Sequence, residues 1–488
     1  MKIIYQSMFF LVTLILLATD TNGKGHLANE ENIATSLITE MPPQKLEKSS
    51  RNAHNAHKET YIQDNKPIQK RLTINISKGV SQQIPIAVLA FTGSHIHHDS
   101  IPEGIAGVIS DDLKNSGRFR SSMPPQPQQI ISLAKIDWEK LSAEYAVVGT
   151  IKKTAEDHYQ VSYKLVSKVS NRIISGRQFN NIHKKNFRRL AHTISNFIYE
   201  AITGSQGYFT SKIAYIDVEN PYELRKSIYQ LVVADYDGFN PHVLLRQNQE
   251  PILSPSWSKD GKYIAYVSYD KGSMAIYTLD VYQGVRKKIA NFKGINSAPV
   301  FSPSGTSMAM ALSQGYSENT NIYLMNLNND VLYQKLTQRG INTAPAFSPS
   351  GKALAYVSNQ GGSPQVYITN VDSKNSHPDR LTFGVREALD PQYTPSGKTI
   401  VFMSQKEKGS GTQIAKVDLN NKQITVLTHG IMDSSPSVSP DGNMIIYRQG
   451  LETGGAKLAM VSIDGDVEIT LPSNIKGDFR SPAWSHSI

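Results

Sequence analysis

Few side chains in this 488-residue sequence have the types and spacing that metal binding or catalysis requires. His95, His97 and His98 lie beside Asp99, and imidazole and carboxylate groups are ordinary zinc ligands. Only two of these imidazoles can easily converge within one short loop, and no second cluster accompanies them, so we predict neither a metal site nor a cofactor. The sequence has no cysteine, which excludes disulfide bonds, thiol catalysis and cysteine-ligated zinc.

Two further acidic residues, Asp260 and Asp441, each precede a glycine in a motif that recurs through the second half of the chain. Because Asp-Gly pairs favour tight turns, we predict turn residues here and not catalytic carboxylates. The recurring motif is marked by prolines spaced 44 to 46 residues apart, at Pro255, Pro299, Pro345, Pro391, Pro436 and Pro482. A constant period of this length is typical of propeller blades.

One repeat indicates how each blade is built. Short segments that favour strands lie at 344–348, 352–358, 365–370 and 380–383, and turns rich in Pro, Ser and Gly separate them. Four short strands in 40–45 residues are the usual content of a propeller blade. The alternative is an antiparallel sandwich, which would not need a constant period.

The last repeat indicates how the ring closes. Five repeats continue into an alternating apolar segment, but the sixth stops four residues after Trp484. An unpaired match to that segment, 212–216, precedes the first repeat. A strand from the C-terminal end that pairs with 212–216 would hide the edges of both strands. We therefore predict a six-bladed β-propeller from about Tyr208 to Ile488.

The N-terminal part of the chain differs in composition. An apolar run at 8–18 follows Lys2 and has the layout of a secretory signal peptide, which we place at 1–23; a retained membrane anchor is the alternative. Residues 24–70 are polar and are predicted to form a disordered extension.

Residues 71–206 are predicted to form a small α/β domain, which leaves 207–488 for the propeller. Strand patterns occur at 72–76, 84–91, 145–151, 159–166 and 172–179, and helical patterns run from Asp99 or Ser100 to Gly117 and from Phe187 to Gly204. This domain carries 17 Lys and Arg against 10 Asp and Glu. Such a charge suits acidic partners or an anionic membrane face, but the aromatic-laced basic stripe of a nucleic-acid-binding surface is missing.

The motifs of both regions together resemble the TolB family, the periplasmic propeller proteins of the Tol–Pal system of Gram-negative bacteria. The matching segments begin at 71–79 and 85–88, and continue at 111–119, 123–127, 145–149, 191–193, 221–224 and 235–240. The resemblance covers residues 71–488. The polar stretch 24–70 departs from the family, and only Trp257 and Trp484 keep the tryptophan of the repeat.

The resemblance implies a scaffold and not an enzyme. Members of the family bind the peptidoglycan-associated lipoprotein Pal through the propeller and bind TolA through the mature N-terminus. They maintain outer-membrane integrity and support envelope constriction during cell division. For this chain it implies a periplasmic location, Pal, TolA and further outer-membrane proteins as partners, no nucleic acid, and attachment to the envelope only through partners.

The loops that enter the innermost strands are expected to gather at one mouth of the central channel. Their polar residues are the predicted Pal contacts: Asn296, Asn342, Thr343, Arg386, Glu387, Asp390, Asp433 and Arg480.

The rival function is a propeller-gated serine peptidase-like hydrolase. Such enzymes need a G-x-S-x-G nucleophile elbow on a separate hydrolase domain. The nearest match, 305–309, ends in Ala309, and the folded region before the propeller is too short for that domain. We therefore predict no catalytic residues.

Overall fold

The computed structural model describes residues 73–76, 83–93, 104–124, 136–270, 272–313, 319–372, 377–472 and 477–486. All of these belong to the unit that runs from Arg71 to Ile488. The predicted signal peptide, the predicted extension 24–70 and the three clustered histidines lie outside the described residues.

The first domain is a five-stranded sheet covered by helices, as the α/β pattern predicts. Its strands are β2 (Ile84–Val88), β3 (Phe119–Ser122), β4 (Tyr145–Ala155), β5 (His158–Ser167) and β6 (Arg172–His183), in the order β3-β2-β4-β5-β6. Strand β2 runs parallel to β3 and β4, whereas β4, β5 and β6 form an antiparallel meander.

Three helices accompany this sheet: α1 (Gly104–Asn115), α2 (Trp138–Leu141) and α3 (Phe187–Thr203). The predicted glycine stops are confirmed, because Gly117 and Gly204 have φ of 72° and 74°, the left-handed conformation that glycine adopts without steric cost. The amide of Gly204 caps α3 by donating to the Glu200 carbonyl at 2.9 Å. None of the helices in the described part of the chain has the length and hydrophobicity of a membrane span.

Strand β1 (Thr73–Ile76) corrects one expectation, because it does not join the sheet of the first domain. It pairs antiparallel with β29 (Val467–Thr470), from Thr73 opposite Thr470 to Ile76 opposite Val467. The first strand of the predicted domain 71–206 therefore pairs with a strand of the propeller.

The second half of the chain is a β-propeller domain. Four of its sheets are separate and have four strands each: β10–β13, β14–β17, β18–β21 and β22–β25. Their strands are Ile252–Trp257, Tyr263–Asp270, Ser273–Asp280, Arg286–Ala290, Asn296–Phe301, Ser307–Leu312, Asn321–Asn326, Val331–Lys335, Asn342–Phe347, Ala353–Ser358, Gln365–Asn370, Asp379–Arg380, Glu387–Tyr393, Thr399–Gln405, Thr412–Asp418 and Ile424–Val426.

The remaining propeller strands belong, together with β1, to one nine-stranded sheet. They are β7 (Lys212–Glu219), β8 (Ile228–Asp235), β9 (His242–Asn248), β26 (Asp433–Val438), β27 (Met444–Gly450), β28 (Ala456–Ser462), β29 and β30 (Asp478–Trp484). Among the described residues, strand pairing joins the run β26-β27-β28-β29 to the run β30-β7-β8-β9 through one parallel pair, Ala456 with Asp478. The predicted closing pair is confirmed, since β30 is antiparallel to β7 with Trp484 opposite Ile213.

The first strands of these runs surround the channel. Strands β10, β14, β18, β22, β26 and β30 contact one another in this order, and β30 contacts β10. Each carries a β-bulge at the proline of the repeat. The residue before each proline has φ between 46° and 52°, at Ser254, Ala298, Ala344, Asp390, Ser435 and Ser481. Because proline has no N–H to donate, the bulge tolerates it inside a paired strand.

The turns after these strands confirm the interpretation of the Asp-Gly pairs. Gly261 and Gly442 have φ of 67° and 79°. The Asp260 carboxylate accepts hydrogen bonds from the Lys262 amide at 3.0 Å and the Ser258 hydroxyl at 2.6 Å. Ser307, the serine of the nearest elbow match, begins strand β15.

Candidate protein-interaction site at the channel mouth

The innermost strands begin at one end of the ring, which is called the mouth below. All eight residues predicted to contact a partner lie toward this end, within the first four residues of β14, β18, β22, β26 and β30 or immediately before them. The structure therefore brings the predicted residues to one region. It does not expose them equally.

Two of the eight are asparagines that hold the backbone of their own loops. Asn296 is fully buried, and its amide donates to the carbonyls of Phe292 at 2.7 Å and Gly294 at 3.1 Å. Asn342 is also fully buried and donates to the carbonyls of Arg339 at 3.0 Å and Gly340 at 3.1 Å. Both side chains are therefore buried supports that fix the backbone of the mouth loops and are not exposed to a partner.

Thr343, Glu387 and Asp433 are buried as well. Glu387 pairs with Arg386, with 3.4 Å between Oε1 and Nε. The backbone of Arg386 is fixed by its amide, which donates to the Gln405 carbonyl at 2.9 Å, and by its carbonyl, which accepts from Gln365 Nε2 at 3.0 Å. These bonds hold the partly exposed Arg386 guanidinium at the rim.

Arg480 is oriented by a buried carboxylate. Asp478 accepts from Arg480 Nε at 2.7 Å and Nη2 at 2.6 Å, and from Arg448 Nη2 at 3.1 Å. Asp478 is fully buried, while Arg480 stays partly exposed. The Asp478 carboxylate is therefore shared by two guanidinium groups.

Asp390 is the acidic member that stays partly exposed. Burial raises its pKa to about 6, although hydrogen bonds from Ser435 on the neighbouring innermost strand oppose the increase. Arg386, Asp390 and Arg480 are therefore the three predicted residues that are not fully buried.

Apolar residues of the mouth were missed by the sequence prediction, which considered only polar side chains. Ile431 and Met432, next to Asp433, are 46% and 38% exposed. Tyr222 and Leu224, in the loop after β7, are also exposed and lie at the same end, because Val218 of β7 is opposite Asp478 of β30. Exposed apolar side chains beside charged ones are typical of protein-interaction surfaces.

A second polar cluster joins the α/β domain to the propeller. His192 of α3 contacts Asp112 of α1, with 2.9 Å between Nδ1 and Oδ2, and its Nε2 lies 3.9 Å from Asp237 Oδ2. The Tyr236 hydroxyl donates to Asp112 at 2.7 Å. Arg188 of α3 binds Asp237 and stacks on the Phe239 ring at 3.7 Å.

The ligand atoms of Asp112, His192 and Asp237 lie within 4.8 Å of one another, a spacing compatible with a metal ion. The surrounding charges favour an ion network instead. Asp112, Asp235 and Asp237 face the cations Arg188 and Lys212 and the His192 imidazole, and burial raises the pKa of Asp237. Burial alone would lower the pKa of His192, but the carboxylates of Asp112 and Asp237 outweigh burial and raise it.

Comparison with known proteins follows the same two-domain division. Residues 199–488 match the family model described as the TolB beta propeller domain, and residues 72–174 match the TolB amino-terminal domain. The Tol-Pal system protein TolB of Francisella tularensis subsp. tularensis (strain FSC 198) is 40% identical over 416 residues, which cover 85% of this chain and 93% of that protein. That of Marinomonas sp. (strain MWYL1) is 36% identical over 232 residues, which cover 47% of this chain and 52% of that protein.

A solved structure extends this likeness to three dimensions. The crystal structure of TolB from Acinetobacter baumannii is similar with a TM-score of 0.74 and 34% sequence identity, and the match covers 85% of this chain and 100% of that chain.

The fold and the mouth together define a β-propeller protein with an N-terminal α/β domain. The domain matches and the relatives then specify which one: the chain belongs to the TolB family of Tol-Pal system proteins.

Proposed function

We propose that this chain is a non-enzymatic periplasmic scaffold of the Tol–Pal system. It binds the peptidoglycan-associated lipoprotein Pal and TolA, contacts further outer-membrane proteins through them, and so maintains outer-membrane integrity and supports envelope constriction. Membership of the TolB family supports this role.

The proposal includes the domain organisation. A signal peptide at 1–23 directs export, the extension 24–70 follows, the α/β domain spans 71–206, and a six-bladed propeller spans 207–488. Six blades are supported by six innermost strands in closed contact order and by the two four-strand runs within the nine-stranded sheet.

The observation that carries the proposal is the composition of the mouth. Arg386 and Arg480 present positive charge, Asp390 stays partly exposed, and the exposed apolar residues Ile431 and Met432 lie at the same end of the ring. A few such residues usually supply most of the binding free energy of an interface. We propose that Pal docks here, and that the segment after the signal peptide binds TolA.

The test is calorimetric titration of the chain with the soluble domain of Pal. Reversing the charges of Arg386 and Asp390 together should weaken binding by about 1–3 kcal/mol, the cost typical of interface hot spots. The matched control swaps Lys287 and Asp330, an ion pair with 2.7 Å between Nζ and Oδ2. Lys287 lies near the start of β13 and Asp330 immediately before β17, at the end of the blades away from the mouth, so the swap should leave the affinity unchanged. Full affinity of the Arg386/Asp390 variant for Pal would show that Pal does not bind at these residues.

A further inference from the structure

Asp433 occupies a repeat position that two other blades give to asparagine. Asn296, Asn342 and Asp433 each lie two residues before the positive-φ residue of the bulge, at Ala298, Ala344 and Ser435. All three side chains are completely buried. The internal repeat therefore allows an amide and a carboxyl group to be compared at the same position of the repeat, although Ile431 stands two residues before Asp433 where the other two blades have Gly294 and Gly340.

The two asparagines use their N–H groups to hold the loop that enters their strand. Each donates to the carbonyl of the glycine two residues upstream, Gly294 at 3.1 Å and Gly340 at 3.1 Å. An ionised carboxylate has no hydrogen to donate, so it cannot make these bonds. A neutral carboxyl group has one O–H donor and can replace one of them.

The surroundings of Asp433 compensate only in part for an ionised carboxylate, through the Thr428 hydroxyl and the Gly430 amide. Neither of its oxygens has a hydrogen-bond partner of ordinary geometry among the described residues. The backbone of the entering loop lies directly against it, because a Cβ built on Gly430 would be 2.4 and 2.5 Å from the two oxygens. A buried carboxyl group whose partners are this weak is less costly when neutral.

Charged groups face Asp433 from several elements. Glu468 of β29 adds a like charge and is itself bound by the Tyr447 hydroxyl at 2.5 Å and by Gln449 Nε2 at 2.8 Å, both on β27. Arg448 of β27 adds a cation, but its guanidinium is bound to Asp478 of β30. His429, in the entering loop, is exposed.

Burial raises the pKa of Asp433 to about 6, and the Thr428 hydroxyl and Gly430 amide oppose this increase. The group therefore ionises between mildly acidic and neutral pH.

The entering loop, residues 427–432, carries the exposed apolar side chains of the mouth. It is held elsewhere by the Thr412 amide, which donates to the Ile431 carbonyl at 3.2 Å, and by the Gly450 amide, which donates to the Met432 carbonyl at 3.1 Å. We propose that Asp433 is a positioning residue controlled by its protonation. When its carboxyl group is neutral, it holds loop 427–432 as Asn296 and Asn342 hold their loops. When the carboxyl group is ionised, the loop loosens, and Ile431 and Met432 become more mobile with it. The proposal concerns regulation of the mouth that is proposed to bind Pal, and so rests on that function for its biological meaning.

The test is hydrogen exchange of the backbone amides in loop 427–432 at pH 5.0 and pH 7.5, corrected for intrinsic exchange rates, without any partner. A carboxyl group with a pKa of about 6 in the closed loop and about 3.9 in the open loop makes opening roughly ten-fold more frequent at pH 7.5 than at pH 5.0. The variant Asp433→Asn should keep the higher protection at both pH values. The reciprocal variant Asn342→Asp should give loop 337–342 the same pH dependence.

Equal protection of loop 427–432 at both pH values in the unaltered chain would overturn the proposal, whether or not any variant folds. A pH dependence that persists in Asp433→Asn would also overturn it and would assign the effect to another group, such as His429. Loss of Pal binding by the mouth variants bears on the proposed function alone, because the exchange measurement involves no Pal.

Discussion

Trp484 closes the propeller, and removing it should open the ring. Its ring lies almost fully buried, with a T-shaped contact to Tyr208 at 5.5 Å and a stacked contact to Tyr236 at 6.4 Å. Its Nε1 donates to Ser211 Oγ at 2.8 Å. We therefore expect Trp484→Ala to lower the free energy of unfolding by about 3–5 kcal/mol, the usual cost of deleting a buried tryptophan.

Deleting residues 481–488 should lower the free energy of unfolding further. It also removes the two hydrogen bonds at 2.8 Å between Lys212 and Ser485, and the Ala483 carbonyl that accepts from Trp257 Nε1 at 3.1 Å. Each lost bond adds about 1 kcal/mol. Such a sum is a large part of the roughly 5–15 kcal/mol that stabilises a typical domain. The exposed edge of β7 should also promote self-association.

Thermal unfolding followed by circular dichroism, with light scattering for association, measures both effects. A loss of 3 kcal/mol should lower the melting temperature of a propeller of this size by roughly 5 °C. Tyr282→Ala is the matched control, because Tyr282 is an aromatic residue that is 70% exposed and should change the melting temperature little. If the truncated chain melts within one or two degrees of the full chain and stays monomeric, the C-terminal strand does not close the ring.

Three further predictions concern the rest of the chain. Because the pKa of His192 is raised, the folded state keeps a proton that the unfolded state releases near pH 6.5. The stabilisation of the fold by this proton is complete below that pH and is lost as pH rises through the pKa of the folded state. We expect His192→Gln to cost about 3 kcal/mol at pH 5.5 and clearly less at pH 9, as measured by urea unfolding; a cost independent of pH would refute the protonated network. Limited proteolysis should leave a resistant core that starts close to residue 70, and sites at Lys45 or Lys58 as protected as the propeller would contradict a disordered extension. A covalent probe for active-site serines should not label the chain, and labelling would indicate a hydrolase and not a scaffold.

The repeat architecture could be predicted from the sequence because it is local. Turn residues such as Gly351 and the proline period recur at fixed positions, and strand patterns between them alternate with a period of two. The four predicted segments of the 344–383 repeat correspond to β18–β21, although the last has only two residues, Asp379–Arg380. The bulges were not predicted, because the sequence pattern shows the proline but not the positive φ of the residue before it.

Long-range convergence was harder to predict. The segments around Asp112, His192 and Asp237 were recognised separately as family matches, but no periodicity shows that residues 80 positions apart, such as His192 and Asp112, hydrogen-bond to each other. The pairing of β1 with the propeller could not be predicted for the same reason. The alternating pattern of this segment indicates a strand, but it does not show which sheet edge the strand joins.

The mouth was predicted in position but not in detail. Loop order along the repeats placed all eight polar residues at one end of the ring. Whether a polar side chain faces a partner or turns back onto its own loop depends on backbone geometry, so Asn296 and Asn342 could not be separated from Arg386 by residue type.

Site-specific photo-crosslinking in the cell envelope tests the central claim, that a partner of the Tol–Pal system binds the mouth. A crosslinking amino acid is placed at Ile431, which is exposed at the mouth, or at Tyr282, which is exposed at the opposite end. Mass spectrometry should identify the peptidoglycan-associated lipoprotein attached at position 431 and not at position 282. Capture of that lipoprotein at position 282 alone, or at neither position, would contradict the account.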